Sequence, residues 1–459
     1  MEVVMQNALS GAATSDGAHQ TLFQFDTNNV PQTDLRFYMD NSGHIVPAKV
    51  AQHIMTEIPF FFDGATLYAY HNGVYKPNGR QIAMKSALVK LRDHYRRNLV
   101  SEIVDYIQTS MWQDSGKMDV EDEYINVKNG LLHWPTGNLY AHTPERVSTV
   151  QLPVIYNPDA TCPTINEYMK SALPADTLPI IEEMFGYCMM PSTQYQKAFM
   201  FVGSGGNGKS LGLDLLTTFI GESNVSNVAL QDLEANRFKL AQLYGKMVNI
   251  YADLPHKALD TSSAFKSVVS GDRMSAEFKG RDSFDFRPFA RLIFSANEIP
   301  TSRDLTDGFF RRWIIVPFPN RFEHGVNADE NMLQKMTTPD ELSGLLNVAL
   351  NGLRRLQQQR KFTENEATQQ ALADYKRDSD NVAVFLDEMC VIGPNYRCNK
   401  TELYPVYVQW CADAGLKKLG KIKFNERLQR LVPDVREERC AKDLPWEWVG
   451  VGLIHPIFR

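Results

Sequence analysis

Apolar positions along the chain change their spacing several times, and each change marks a different kind of element. Residues 100–112 (VSEIVDYIQTSMW) repeat apolar side chains at helical spacing, with Ser101 placed to cap the segment. Residues 124–150 read instead as short strands, YINVKNGLLHW and then LYAH, with Asn129-Gly130 and Thr136-Gly137-Asn138 as turns. Residues 164–196 are helical in pattern, and Pro174, Pro179 and Pro191 divide them. The pattern changes again at Phe199. Residues 199–202, 247–252 and 291–295 are short apolar runs, and the first precedes a helical pattern over 211–219. Such strands alternating with helices predict a parallel sheet covered on both faces, an α/β core.

Downstream, residues 330–375 read as polar helix with an interruption at Asn351-Gly352, and the charged stretch 376–381 reads as a linker. Residues 382–459 predict two or three helices followed by a hairpin over 446–454, an order that suggests a winged helix. The expected division is a loose tail over 1–30, an α+β domain over 31–160, a helical connector over 161–196, a motor over 197–325, a helical segment and linker over 326–381, and a winged-helix-like domain over 382–459.

Length and composition fit this division. A chain of 459 residues exceeds one ordinary core and suggests about three units. The 43% hydrophobic and 22% charged residues are those of a globular protein. No apolar run reaches the roughly 18 residues of a membrane span, and the N-terminus lacks the apolar core of a signal peptide. A cytoplasmic protein with no membrane partner is expected. The six cysteines (Cys162, Cys188, Cys390, Cys398, Cys411, Cys440) are scattered and read as buried thiols, not as a zinc set. A net charge of −6 offers no global nucleic-acid surface, so any grip on DNA must be local.

The strongest chemical signal follows the strand at 199–202. Gly203-Ser204-Gly205-Gly206-Asn207-Gly208-Lys209-Ser210 matches G-x-x-x-x-G-K-[ST], between a strand and a helix as that motif requires. Glycines let backbone amides turn around a phosphate, and the helix start adds its positive dipole end. Lys209 is placed to reach the β- and γ-phosphates of ATP, and Ser210 to ligate Mg²⁺. The strand at 247–252 delivers Asp253 as a second Mg²⁺ ligand, the plain alternative being a turn-forming Asp before Pro255. One acid stands there, so whether it also activates water stays open. The strand at 291–295 runs on to Asn297, where an amide can orient the attacking water; alone it reads better as a strand-end turn residue before Glu298-Ile299-Pro300, and the order loop, acid strand, Asn strand lifts it. The adjacent Arg311 and Arg312 in FFRRW are either catalytic arginines or a solvated pair against aromatics.

Taken together, the phosphate loop, 249–253, Ser270-Gly271-Asp272, Phe294-Ser295-Ala296-Asn297 and 309–317 resemble the superfamily 3 helicases, in the branch of phage and plasmid primase-helicases related to the poxvirus primase-helicase. The resemblance implies an AAA+-like P-loop ATPase core working as a hexameric ring that moves 3′→5′ along single-stranded DNA and opens forked duplex DNA. It implies Lys209 and Ser210 as Walker A, Asp253 as Walker B, Asn297 as sensor 1, and Arg311 or Arg312 as the arginine finger. It also points to a channel hairpin. Independently, residues 274–278 and 283–286 alternate as strands around Lys279-Gly280-Arg281-Asp282, so Lys279 and Arg281 would present cations to a phosphate backbone, the plain alternative being an exposed turn with solvated Lys and Arg. The basic stretch 417–430 falls where a recognition helix would lie, with an ordinary solvated face equally open. Residues 1–160 hold no acidic metal cluster of a primase, and a separate primase or other replication protein is left as a partner. A nucleotide-gated ring or origin-binding assembly protein is the competing reading.

Overall fold

The computed structural model describes residues 34–113, 123–255, 258–280, 282–323, 326–439 and 445–454. Two compact units divide the chain, one of residues up to 67 with 77–112, the other of 68–76 with everything after 112.

In the first unit, helices Pro47–Glu57, Gly79–Leu91 and Arg97–Ser110 bury Val50, Ile54, Ile82, Ala87, Val100, Ile103 and Ile107. Lys90 is buried there and pairs with Glu57 at 2.7 Å. Ser101 is not the cap expected of it. The helix starts at Arg97 with no side-chain cap, because packing of its apolar stripe, not a cap, sets its beginning.

The second unit is mixed α/β around a five-stranded parallel sheet. Its strands are β1 (Ala198–Val202), β2 (Val225–Ser226), β3 (Val248–Tyr251), β4 (Arg291–Ala296) and β5 (Trp313–Pro317), in the spatial order β5-β1-β4-β3-β2. Side chains alternate between two cores. Phe199, Phe201, Ile250, Ile293 and Val316 enter one, while Ala198, Met200, Phe294, Trp313 and Ile315 enter the other. That two-sided burial is why the strands read as continuous apolar runs.

The first of these cores is closed by α1 (Pro163–Ala172), α2 (Leu178–Cys188), α3 (Lys209–Ile220) and α4 (Pro339–Gln359). Pro179 lies in the first turn of α2, where its missing N–H costs nothing, so it starts that helix and does not break it. Helix α4 runs uninterrupted through Asn351-Gly352, against the sequence expectation. Gly352 is there for closeness. A Cβ on it would lie 2.3 Å from the Glu182 carbonyl oxygen on α2. Beside this crossing the Glu183 carboxylate, fully buried, accepts from Arg355 Nε at 2.7 Å and from the Thr363 amide at 2.8 Å. Helix propensity alone says Gly352→Ala stabilises by about 1 kcal/mol. The backbone clash reverses the sign, and we expect a net loss of roughly 2 kcal/mol, read as a fall in Tm of about 3 °C. A rise in Tm would sink this account of the crossing.

Helix Glu366–Ser379 continues through the stretch expected to be a linker. Asp380 then caps helix Asn381–Met389, its side chain accepting from the Val382 amide, and it is buried against Arg427 Nε at 2.6 Å. Helices Lys400–Asp413 and Lys421–Leu431 follow. The expected hairpin over 446–454 is one strand, Glu447–Leu453, central in an antiparallel sheet between Cys390–Asn399 and Arg436–Glu438. Both of its partners lie outside the segment read as a hairpin, so a local reading could not find them. Cys162, Cys188, Cys390, Cys398 and Cys411 are buried thiols, and Cys440 lies outside the described residues. Among the described residues no helix is long and apolar enough to cross a membrane.

Candidate nucleotide site and nucleic-acid hairpin

The phosphate loop links the end of β1 to the start of α3. Gly205, Gly206 and Gly208 adopt φ of +101°, +62° and +84°, a backbone region that favours glycine. They turn the chain tightly enough that Gly205 through Ser210 line one cavity of about 1040 Å³. Asp253, just past β3, and Asn297, just past β4, line the same cavity. Parallel strands end on one side of a sheet, so the fold brings Lys209 and Asn297 together across 88 positions. Gly203 and Ser204 stand at its margin and do not line it.

Lys209 is buried, and its Nζ donates to the Gly203 carbonyl at 2.5 Å and to Asn297 Oδ1 at 3.3 Å. Burial lowers its pKa, and the Asp253 carboxylate opposes that shift. Asp253 itself sits at φ +57°. The turn is held by Ser295 of β4, whose Oγ accepts from the Asp253 amide at 3.2 Å and whose carbonyl accepts from the Leu254 amide at 2.9 Å. Asn249, fully buried in β3, ties the sheet edge instead, accepting from the Val228 amide and donating to the Val228 carbonyl.

Among the described residues no cluster of three or more His, Cys, Asp or Glu could hold a metal by itself. The Ser210 hydroxyl and Asp253 carboxylate are hard oxygen donors on one cavity, which suits Mg²⁺, an ion held by one or two carboxylates together with phosphate oxygens.

The opposite wall has no counterpart in the sequence reading. Glu167, Tyr168 and Ser171 come from α1, and Asn320, Phe322, Asp329 and Met332 from the chain after β5. Tyr168 donates its hydroxyl to the Gly208 carbonyl at 2.8 Å, and burial pushes its phenol pKa up, keeping it a donor. Asn207 Nδ2 donates to the Asn320 carbonyl at 2.8 Å, and the Phe322 amide to the Gly206 carbonyl at 2.7 Å. No motif announces these residues.

Arg311 and Arg312 separate sharply. Neither lines the cavity of its own chain. Arg312 is buried, donating Nη2 to Ser270 Oγ at 2.8 Å and Nη1 to the Gly308 carbonyl. Arg311 is exposed, its Nη2 meeting Gln196 Oε1 at 3.2 Å.

The hairpin forms as expected, with Met274–Glu277 paired to Ser283–Phe286 in antiparallel register. Phe278 stacks on Phe284 at 4.9 Å, and Tyr244 packs edge-on against Phe284 at 5.3 Å, which braces the hairpin just below its tip. Lys279 is exposed at the tip, and Arg281 lies outside the described residues. In the stretch 417–430, the helix begins only at Lys421, and Arg427 is engaged by Asp380.

Three family models match the chain: "D5 N terminal like" over residues 43–174, a family of unknown function (DUF5906) over 201–312, and "Poxvirus D5 protein-like" over 377–450. Together these matches, each over part of the chain, make it similar to the phage- and poxvirus-type primase-helicases. Among curated proteins it is 23% identical over 181 residues to "Putative helicase L207/L206" of Acanthamoeba polyphaga mimivirus, covering 38% of this chain and 19% of that protein. It is 26% identical over 136 residues to "Putative helicase 121R" of Invertebrate iridescent virus 3, covering 27% and 14%. The chain thus spans a fifth or less of the length of these relatives. In fold it is similar to the NrS-1 C-terminal region in its A-form apo structure, with TM-score 0.52, 12% identity, and coverage of 89% of this chain and 100% of that one. A second structure of that region, residues 305–718, gives TM-score 0.52 at 13% identity over 88% and 100%. At such identities the likeness concerns the fold alone.

Proposed function

We propose that this chain is the ATP-hydrolysing subunit of a hexameric ring helicase that translocates 3′→5′ on single-stranded DNA and opens forks during replication of a phage, plasmid or other mobile element. One observation carries the reading. The Lys209 ammonium lies within reach of the loop carbonyl of Gly203 and the Asn297 amide, on a cavity shared with Ser210 and Asp253. A P-loop ATPase core of AAA+ type fits a cavity at the strand ends where neighbours of β1 lead to opposite edges of the sheet. A winged-helix-like domain fits the three helices and three-stranded sheet after Asp380.

In this reading Lys209 binds the β- and γ-phosphates, and Ser210 with Asp253 holds Mg²⁺, which neutralises phosphate charge. Asn297 orients the attacking water. Arg311, exposed and remote from its own cavity, is the arginine offered to a neighbouring subunit, and Arg312 is structural. The exposed Lys279 tips, repeated around a ring, supply a local grip that a net charge of −6 does not.

The test is strand separation on forked duplexes carrying a 3′ or a 5′ tail, with ATP. Separation of the 3′-tailed fork alone is expected. An assembled ring that hydrolyses ATP without separating strands would favour the competing assembly role. Lys279→Ala should weaken single-strand binding across all sequences and reduce the slope of its salt dependence by about one for each phosphate left without its cation. Titration of labelled oligonucleotide at several salt concentrations reads this, and unchanged binding places the hairpin outside the DNA path.

A further inference from the structure

A loop that offers its backbone amides to an anion must satisfy its carbonyls elsewhere. Here the partners of the Gly206 and Gly208 carbonyls come from outside the motif. The Gly206 carbonyl accepts from the Phe322 amide at 2.7 Å, and Gly208 accepts from the Gly212 amide at 3.0 Å and from the Tyr168 hydroxyl at 2.8 Å. Asn207 is held by the Asn320 carbonyl, and Asn320 Nδ2 donates in turn to the Ser171 carbonyl at 2.6 Å. Helix α1 therefore reaches the loop twice, through Tyr168 directly and through Ser171 by way of Asn320.

The fit of Tyr168 is cut into α3. A Cβ on Gly212 would lie 2.8 Å from the Tyr168 hydroxyl oxygen, and one on Gly208 would lie 3.3 Å from its ring. Gly212 is outside the loop motif, and glycine inside a helix is unfavourable by itself. The slot for Tyr168 explains it.

We propose that α1 is a working part of the nucleotide site, with Tyr168 and Asn320 as positioning residues that hold the phosphate loop in its nucleotide-receiving shape. The inference rests on the ATP-site reading above and assigns part of that site to a helix preceding the motor. Tyr168 touches loop backbone and no reacting atom, so its influence falls on binding more than on chemistry.

Tyr168→Phe keeps the ring in its slot and removes one hydrogen bond. Affinity for a fluorescent ATP analogue should fall about tenfold, with KM for ATP rising in step and kcat holding within about twofold. Gly212→Ala should act through the same contact by displacing the hydroxyl. The double variant should then bind no more weakly than Gly212→Ala alone, whereas independent sites would add. A lowered Tm with unchanged analogue affinity would mean a merely structural hydroxyl and overturns the inference, as does full additivity. Failure of the wild-type protein to bind the analogue at all would instead remove the nucleotide reading on which the inference stands.

Discussion

Lys209→Ala is expected to lower ATP turnover by at least about a thousandfold while leaving the fold intact. Among the described residues Lys209 Nζ donates to the Gly203 carbonyl at the cavity margin and to Asn297 Oδ1 on the cavity wall, and Lys209 is no member of the apolar cores, so its removal takes away no core packing. What disappears is a buried cation on the cavity wall, placed to act on phosphate charge. Steady-state phosphate release, together with a melting curve matching wild type within about two degrees, reads the prediction. Retained turnover in a folded variant would remove the phosphate-loop assignment and the helicase reading with it.

Arg311→Ala is expected to reduce turnover by about a thousandfold in the assembled ring, the effect of losing a charge that meets the γ-phosphate from a neighbour. Arg312→Ala should behave differently. It leaves Ser270 and the Gly308 carbonyl without their partner and should lower Tm before it touches chemistry. Phosphate release with single-stranded DNA present, beside thermal melting of both variants, separates the two arginines. A folded Arg312→Ala ring that loses turnover while Arg311→Ala keeps it would reverse the assignment.

The two arginines also show where local sequence pattern stops being informative. The pair FFRRW gives no reason to rank one over the other, because the decision is made by Ser270, 42 residues away. The phosphate loop, Asp253 and Asn297 are legible as local patterns at the ends of short apolar strands, and the hairpin as alternation on either side of a turn. Tyr168 and Asn320 are not, since their contacts to the loop span 40 and 113 residues and leave no mark on spacing. Gly352 misleads for a related reason. A glycine in a polar helix looks like a break, and only the α2 backbone beside it shows that it is a point of contact. Strand Glu447–Leu453 looks like a hairpin because its true partners lie outside its own segment.

The start of α1 is completed from far downstream. The Glu341 carboxylate accepts from the Thr164 and Ile165 amides at 3.0 and 3.1 Å, across 177 and 176 residues. At bacterial or eukaryotic translation speeds that separation is roughly 10–40 s of synthesis. For most of that interval a nascent chain carries α1, Tyr168 and the whole phosphate loop without the residue that caps α1 or the helix that covers its core. A ribosome-bound chain ending before α4 should therefore be protease-sensitive around α1 and lean on chaperones. Protection should arrive once α4 has cleared the exit tunnel, so the nucleotide site matures well after its own residues have been made.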